Sequence, residues 1–239
     1  MQKKNFFSPF LFILITTLSI STVHASNPDL LPLQHAWAKA NYELEGEAQL
    51  EAFSTLIAQA KVLVEQSENS AKALTWLAIS QSSTASAKGG LGALDFAESA
   101  KENLERAIEK EEAVLEGTAL TVLAALYHKV PGWPVSFGSD KKAKQLFKRA
   151  LEINPEGMDQ NFFYAEFLFD DGEYEEAQGF LIRAQNAPEK ANRPLADKKR
   201  REEIAILQAK LDKKASKSSL SNTPRECTHA RRPLSLSLC

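Results

Sequence analysis

Three short segments share one spacing, and that spacing restricts the fold more than any bulk property of the chain. Ala100/Leu104/Ala107, Ala143/Phe147/Ala150 and Ala177/Leu181/Ala184 each place a large apolar residue four positions after a small one, with a second small residue three further on. Positions three and four apart lie on one face of a helix. Such a face admits a partner helix closely at both alanines and fills the groove between them with the bulky side chain. The last two copies are offset by 34 residues and the first two by 43. Recurrence at this period indicates stacked helical units, each burying its apolar face against the next.

The rest of the body agrees with that reading. Between residues 29 and 213 apolar residues recur at three and four positions, without the alternation of a half-buried strand. Leu50, Phe53, Leu56, Ile57, Ala60, Leu63 and Val64 mark a helix over about 47–66. Further helices are predicted over about 71–86, 91–110, 112–129, 140–152, 159–170, 174–186 and 195–212. Breakers separate them: Gly89-Gly90, Gly117 near one start, Pro131-Gly132-Trp133-Pro134, Asn154-Pro155-Glu156-Gly157, Asp171-Gly172 and Ala187-Pro188. Each supplies a left-handed backbone position or removes a donor, which ends a helix. The expected fold is all-α: about three α-hairpin repeats, with N-terminal helices before them and a C-terminal capping helix after.

Composition removes other classes. The chain has 239 residues, 44% hydrophobic and 25% charged, with 10 Gly, 10 Pro and 2 Cys, which excludes collagen-like, disulfide-framework and polytopic membrane chains. A net charge of −2 gives no footprint of a nucleic-acid binder. Lys3 and Lys4 precede a mostly apolar run from Phe6 to Ile20, followed by Val23-His24-Ala25. That order reads as a secretory signal peptide over 1–25, cleaved after Ala25. An uncleaved anchor is the alternative, but Ser8, Pro9, Thr16, Thr17 and Ser19 leave the run short of the roughly 20 apolar residues of a span. Export from a bacterium places the mature chain in the periplasm. Both cysteines, Cys227 and Cys239, fall in a Ser-rich, basic tail. The tail over 213–239 is read as disordered, and the helical body over 26–212, lacking Cys, relies on burial for stability.

The 34-residue offset, Tyr164-Ala165, Leu168, Gly172 and Tyr174 on the third pair, and Pro155 closing the second together resemble the tetratricopeptide repeat. Trp76-Leu77-Ala78 opens the first pair in the same manner. The blocks Lys88-Gly89-Gly90-Leu91-Gly92-Ala93, Leu126-Tyr127-His128-Lys129-Val130-Pro131-Gly132-Trp133-Pro134 running on to Phe137-Gly138, Ala150-Leu151-Glu152-Ile153-Asn154-Pro155, and Arg193-Pro194-Leu195-Ala196-Asp197 go further. They resemble exported bacterial tetratricopeptide proteins akin to the T-component of TRAP transporters. The likeness runs over roughly 70–212 and is most specific in the Pro-Gly-Trp-Pro insertion. It implies an accessory role beside a periplasmic solute receptor, binding or relaying a ligand. No lipid-attachment Cys follows the apolar run, which departs from the membrane-tethered version of that family.

Eleven aromatic residues lie between Tyr127 and Phe180, so a binding surface is sought there. Trp133 and Phe137, held by Pro131 and Pro134, either display an aromatic for recognition or fold back to plug the gap between helices. Phe163 and Phe167, with Tyr164 and Leu168, define a core stripe, and Phe162 and Phe169 a neighbouring one. Tyr164 would line an apolar cavity if one opened between pairs. The candidate ligand or partner residues are therefore Tyr127, Trp133, Pro134, Phe137 and Tyr164. His35, His128 and His229 lack metal-type spacing, Gly89-Gly90-Leu91-Gly92 lacks a preceding strand, and no nucleophile motif is present. Neither a metal, a cofactor nor an enzymatic activity is expected. The function expected is an exported, non-catalytic scaffold binding a protein such as a solute receptor, a hydrophobic small molecule, or both. The alternative is a protein-interaction scaffold in envelope assembly without a small-molecule site. A cavity of several hundred Å³ with apolar walls favours the first.

Overall fold

The computed structural model describes residues 29–221. The expected signal segment and both cysteines lie outside the described residues. Within them the chain folds as α1 (Leu31–Glu43), α2 (Gly46–Gln66), α3 (Ala71–Lys88), α4 (Leu94–Lys110), α5 (Val114–Lys129), α6 (Asp140–Ile153), α7 (Met158–Asp170), α8 (Tyr174–Asn186) and α9 (Pro194–Ser221), with a 3₁₀ turn at Leu91–Ala93. No strand occurs among the described residues, and none of these helices is long and apolar enough to cross a membrane.

Helices pack in sequence order as adjacent pairs, α3 on α4, α5 on α6 and α7 on α8. The three spaced triplets lie on α4, α6 and α8, and all nine of their residues are buried. Short connections make each pair antiparallel, so α3, α5 and α7 run in one direction, and they touch one another as an inner layer. Outside them α4, α6 and α8 form an outer layer. Ser70 and Ser139 accept from the Ala73 and Lys142 backbone N–H groups and cap α3 and α6, each cap being worth about 1 kcal/mol. At the two ends of the chain, α1 packs on α2 and α3, while α9 packs on α7 and α8. These two terminal helices also meet each other across the inner layer.

Three boundaries differ from the sequence reading. The helix expected from residue 91 begins at Leu94, because Gly89 and Gly90 both take positive φ and a 3₁₀ turn intervenes. The helix expected from 112 opens at Val114 with Leu115, Glu116 and Gly117 in left-handed geometry. Gly117 sits against the Ala150 backbone, where a Cβ would lie 3.3 Å from the carbonyl oxygen. The tail assigned as disordered from residue 213 continues as helix to Ser221, so α9 extends beyond the expected 212. Lys214 lies over the Phe169 and Tyr174 rings at 6.0 and 5.1 Å. These contacts tie the extension to α7 and α8 although its own sequence lacks an apolar period.

Candidate functional site

Closure of the inner layer by α1 and α9 leaves a cavity of about 820 Å³, inside the 300–1,000 Å³ range of small-molecule pockets. Its floor comes from α3 and α5, with Trp76, Ile79, Val122, Ala125 and Leu126. Its side wall is α7, with Phe162, Phe163 and Phe169. Over it lie Trp37 and Tyr42 of α1 and Ile206 and Leu207 of α9. Trp37 meets Trp76 and Tyr42 edge-on, both at 5.8 Å, and donates its Nε1–H to Ser83 Oγ at 2.8 Å. That bond holds α1 onto α3. His35 Nε2 lies 2.8 Å from the Asn192 carbonyl oxygen and joins α1 to the turn before α9.

The two ends of the cavity are built differently. At one end Asp159, in the first turn of α7, accepts from Arg193 at 2.8 Å and from Arg200 at 2.8 Å. Burial alone would raise the Asp159 carboxyl, but the two guanidiniums outweigh it and hold the group at about 2. Arg200 also stacks over Phe162 and Phe163 at 4.5 and 4.4 Å and reaches Glu203 at 2.5 Å. The Glu203 carboxyl is pushed up by burial, against the pull of Arg200. Burial likewise raises the Tyr42 hydroxyl above the cluster. Paired and largely buried charges line this end, with Arg200 9% and Asp159 20% exposed.

At the other end stand Lys129, Glu166, Asp170 and Lys210. Lys129 donates to Asp170 at 2.7 Å, and the His128 Nε2 lies 3.1 Å from the same carboxylate. Burial tends to raise the Asp170 carboxyl, and bonds from Lys129 and His128 bring it below the usual range. The pair side chains here are 40–50% exposed, against 9% for Arg200 and 20% for Asp159. Asp159 and Asp170 are eleven residues apart on α7, which puts the two ends roughly 16 Å apart at 1.5 Å per residue. The Lys129 end is the more open one.

Tyr127 is buried beside Phe137, with ring centroids 5.4 Å apart, and donates to Glu105 at 3.4 Å. These two do meet, on the α4 side of α5 rather than in the cavity. Trp133 and Pro134 project from the same loop, and Trp133, 91% exposed, does not plug the gap between helices. Tyr164 is fully buried among Phe147, Phe167 and Phe180, 4.7–6.0 Å away, and lines no part of the cavity. Burial, with Glu176 adding to it, pushes its hydroxyl up to about 12. Phe163, placed on the core stripe by its spacing, instead faces the cavity with Phe162 and Phe169. Trp37, Tyr42, Trp76 and the Asp159–Arg193–Arg200 cluster were not singled out from sequence as site residues. The signal available for them was the apolar excess on α7 and the Arg193/Asp197 pair one turn apart.

Over the described residues the fold and cavity thus define an all-helical arrangement of sequentially packed helix pairs, with α1 and α9 flanking a partly open cavity with aromatic walls. No protein-family model and no curated protein matches the chain.

Proposed function

We propose that this chain is a tetratricopeptide-type ligand-binding module that carries a mainly apolar small molecule in its central cavity. The role is non-catalytic and fits an exported transport accessory working beside a solute receptor in the periplasm. The carrying observation is the cavity of about 820 Å³ between α1, α3, α5, α7 and α9, with Trp37, Trp76, Phe162, Phe163 and Phe169 on its walls. Apolar walls bind through the hydrophobic effect, and a few polar groups set orientation. Ser82, Ser83 and Ser86 on α3 supply hydroxyls for that purpose. Placement of α1 and α9 across the inner layer narrows its concave face to a cavity of small-molecule size, which favours a small ligand over the peptide that the envelope-assembly alternative requires.

The test is titration with Nile red, an uncharged apolar dye, in parallel with the Val122→Trp/Ala125→Phe variant, which crowds the cavity floor. Saturable one-to-one binding by the parent chain, lost in the variant at unchanged melting temperature, supports the reading. Absence of saturable binding by the parent chain overturns it. The export component is checked separately by cell fractionation, where accumulation of the chain in the cytosol contradicts it.

A further inference from the structure

The two long sides of the cavity differ in kind. Helix α5 lies between α3 and α7, which do not touch each other, while α1 rests on α3 and α9 on α7. The side built from α1 and α3 carries uncharged polar groups, Gln34 and Asn41 on α1 and Ser82, Ser83 and Ser86 on α3. Residues four and seven apart share a helix face, so these groups look inward together with Trp37 and Trp76. Across from them, the α5 floor and the α7 wall present Val122, Ala125, Leu126, Phe162, Phe163 and Phe169.

Hydrogen bonding sharpens the contrast. The side chains of Gln34, Asn41, Ser82 and Ser86 make no hydrogen bond to another described residue. Ser83 Oγ accepts the Trp37 N–H at 2.8 Å and keeps its own proton to donate. On α5 the two lining threonines are already engaged, Thr118 donating to the Leu115 carbonyl and Thr121 to that of Gly117. Free hydroxyls and amides therefore gather on the α1 and α3 side.

The charged groups of the lining are largely engaged with one another. Arg193 and Arg200 share Asp159, Arg200 also holds Glu203, and Lys129 meets Glu166 and Asp170. Lys39, Glu43 and Lys210 complete the set, all exposed and of mixed sign. A carboxylate, phosphate or ammonium on a ligand lying against the buried pairs would have to break one of them, which strands a charge. A hydroxyl or carbonyl oxygen meets groups that have no other partner among the described residues, and it strands nothing.

These polar groups are also spread out rather than gathered at one point. Gln34 and Asn41 stand about 10 Å apart along α1, and Ser82 and Ser86 about 6 Å apart along α3, at 1.5 Å per residue. A fatty alcohol or other single-headed chain has its polar atoms at one end and reaches only one of these positions. A ring compound with oxygens along one edge reaches several, and its hydrocarbon face packs on the phenylalanine rings.

Resting on the ligand-binding reading above, we infer that the ligand is an uncharged fused-ring compound whose hydroxyl or carbonyl groups lie along one side. That side faces α1 and α3, and the hydrocarbon side faces α5 and α7. Ser82 and Ser86 select for the oxygens.

The test is equilibrium dialysis of the full chain against bile-acid derivatives. Methyl cholate is uncharged and carries its hydroxyls on one face of the ring system. Methyl lithocholate keeps one of them, and cholate is the anion of the first. The parent chain is expected to bind methyl cholate at least as tightly as the more apolar methyl lithocholate, and more tightly than cholate. Ser82→Ala with Ser86→Ala is expected to weaken methyl cholate about tenfold, through two lost hydrogen bonds, and to leave methyl lithocholate unchanged. The melting temperature is expected to hold, because alanine is the better helix former. Equal weakening of both esters, weakening of neither, a parent chain that prefers methyl lithocholate, or cholate binding tighter than its ester overturns the inference. A parent chain that binds Nile red and neither ester overturns it alone and leaves the cavity reading standing. A chain that binds neither the dye nor the esters overturns both.

Discussion

Helices α6 and α7 are consecutive and nearly equal in length, yet they use their apolar residues differently. On α6 a single stripe, Ala143, Phe147 and Ala150, is buried, and the other positions are mostly exposed and charged. On α7 two faces are apolar: Tyr164, Phe167 and Leu168 enter the core between layers, and Phe162, Phe163 and Phe169 face the cavity. An outer helix touches neighbours on one side and water on the other. An inner helix touches neighbours on one side and the cavity on the other, so its second face stays apolar. Apolar residues in excess of what one packing face needs therefore mark the wall of a chamber in this architecture.

Substitutions that treat the two helices alike break or sharpen that contrast. The largest expected effect is on the outer helix, where Phe147→Ala empties a fully buried site between Tyr164 and Phe167. A loss of about 3–5 kcal/mol is expected in urea unfolding. Asp159→Ala comes next, since it strands Arg193 and Arg200 without their shared partner. Removing one member of a buried pair costs about 3 kcal/mol or more, and cavity binding is expected to weaken as Arg200 leaves Phe162 and Phe163.

The same cluster has a pH signature. A carboxyl held at about 2 in the folded chain, against roughly 3.9 when unfolded, contributes stability above pH 4. That contribution fades as pH falls from about 4 through 2, and amounts to about 2 kcal/mol. Melting curves between pH 5 and 2.5 are expected to decline more steeply for the parent chain than for Asp159→Asn.

A smaller stability effect is expected for Phe163→Ala. One face of its ring meets the cavity, so the cost is roughly 1 kcal/mol, whereas Nile red affinity falls tenfold or more. If Phe163→Ala proved as destabilising as Phe147→Ala with binding intact, the two-faced reading of α7 would fail. Trp133→Ala stands last, with a change within about 0.5 kcal/mol, because the side chain has almost no contacts to lose.

Much of the local architecture was legible from residue spacing. The triplets on α4, α6 and α8 were read as buried and are, because a 3.6-residue period assigns side chains to faces without reference to anything distant. Breakers such as Asn154-Pro155 and Asp171-Gly172 ended helices within a residue or two of the expected positions. Spacing put Tyr164 and Phe163 on one core stripe and failed on Phe163, although the two are adjacent in the chain and equally aromatic. One belongs to the core and the other to the cavity, and a face against side chains has the same apolar signature as a face against an apolar void.

Amino-acid order alone thus determined most of the helices and breaks between about residues 47 and 212, though not α1, and the stripe that each outer helix buries, since those depend on contacts within a few residues. Tertiary structure decided what the remaining faces meet. Arg193 and Arg200 find Asp159 from 34 and 41 residues away, and α1 meets α9 from opposite ends of the described chain. Trp133 stands in water because the loop closes beneath it through Gly138. Each of these outcomes depends on where separate helices cross, and a periodic pattern carries no record of the crossing.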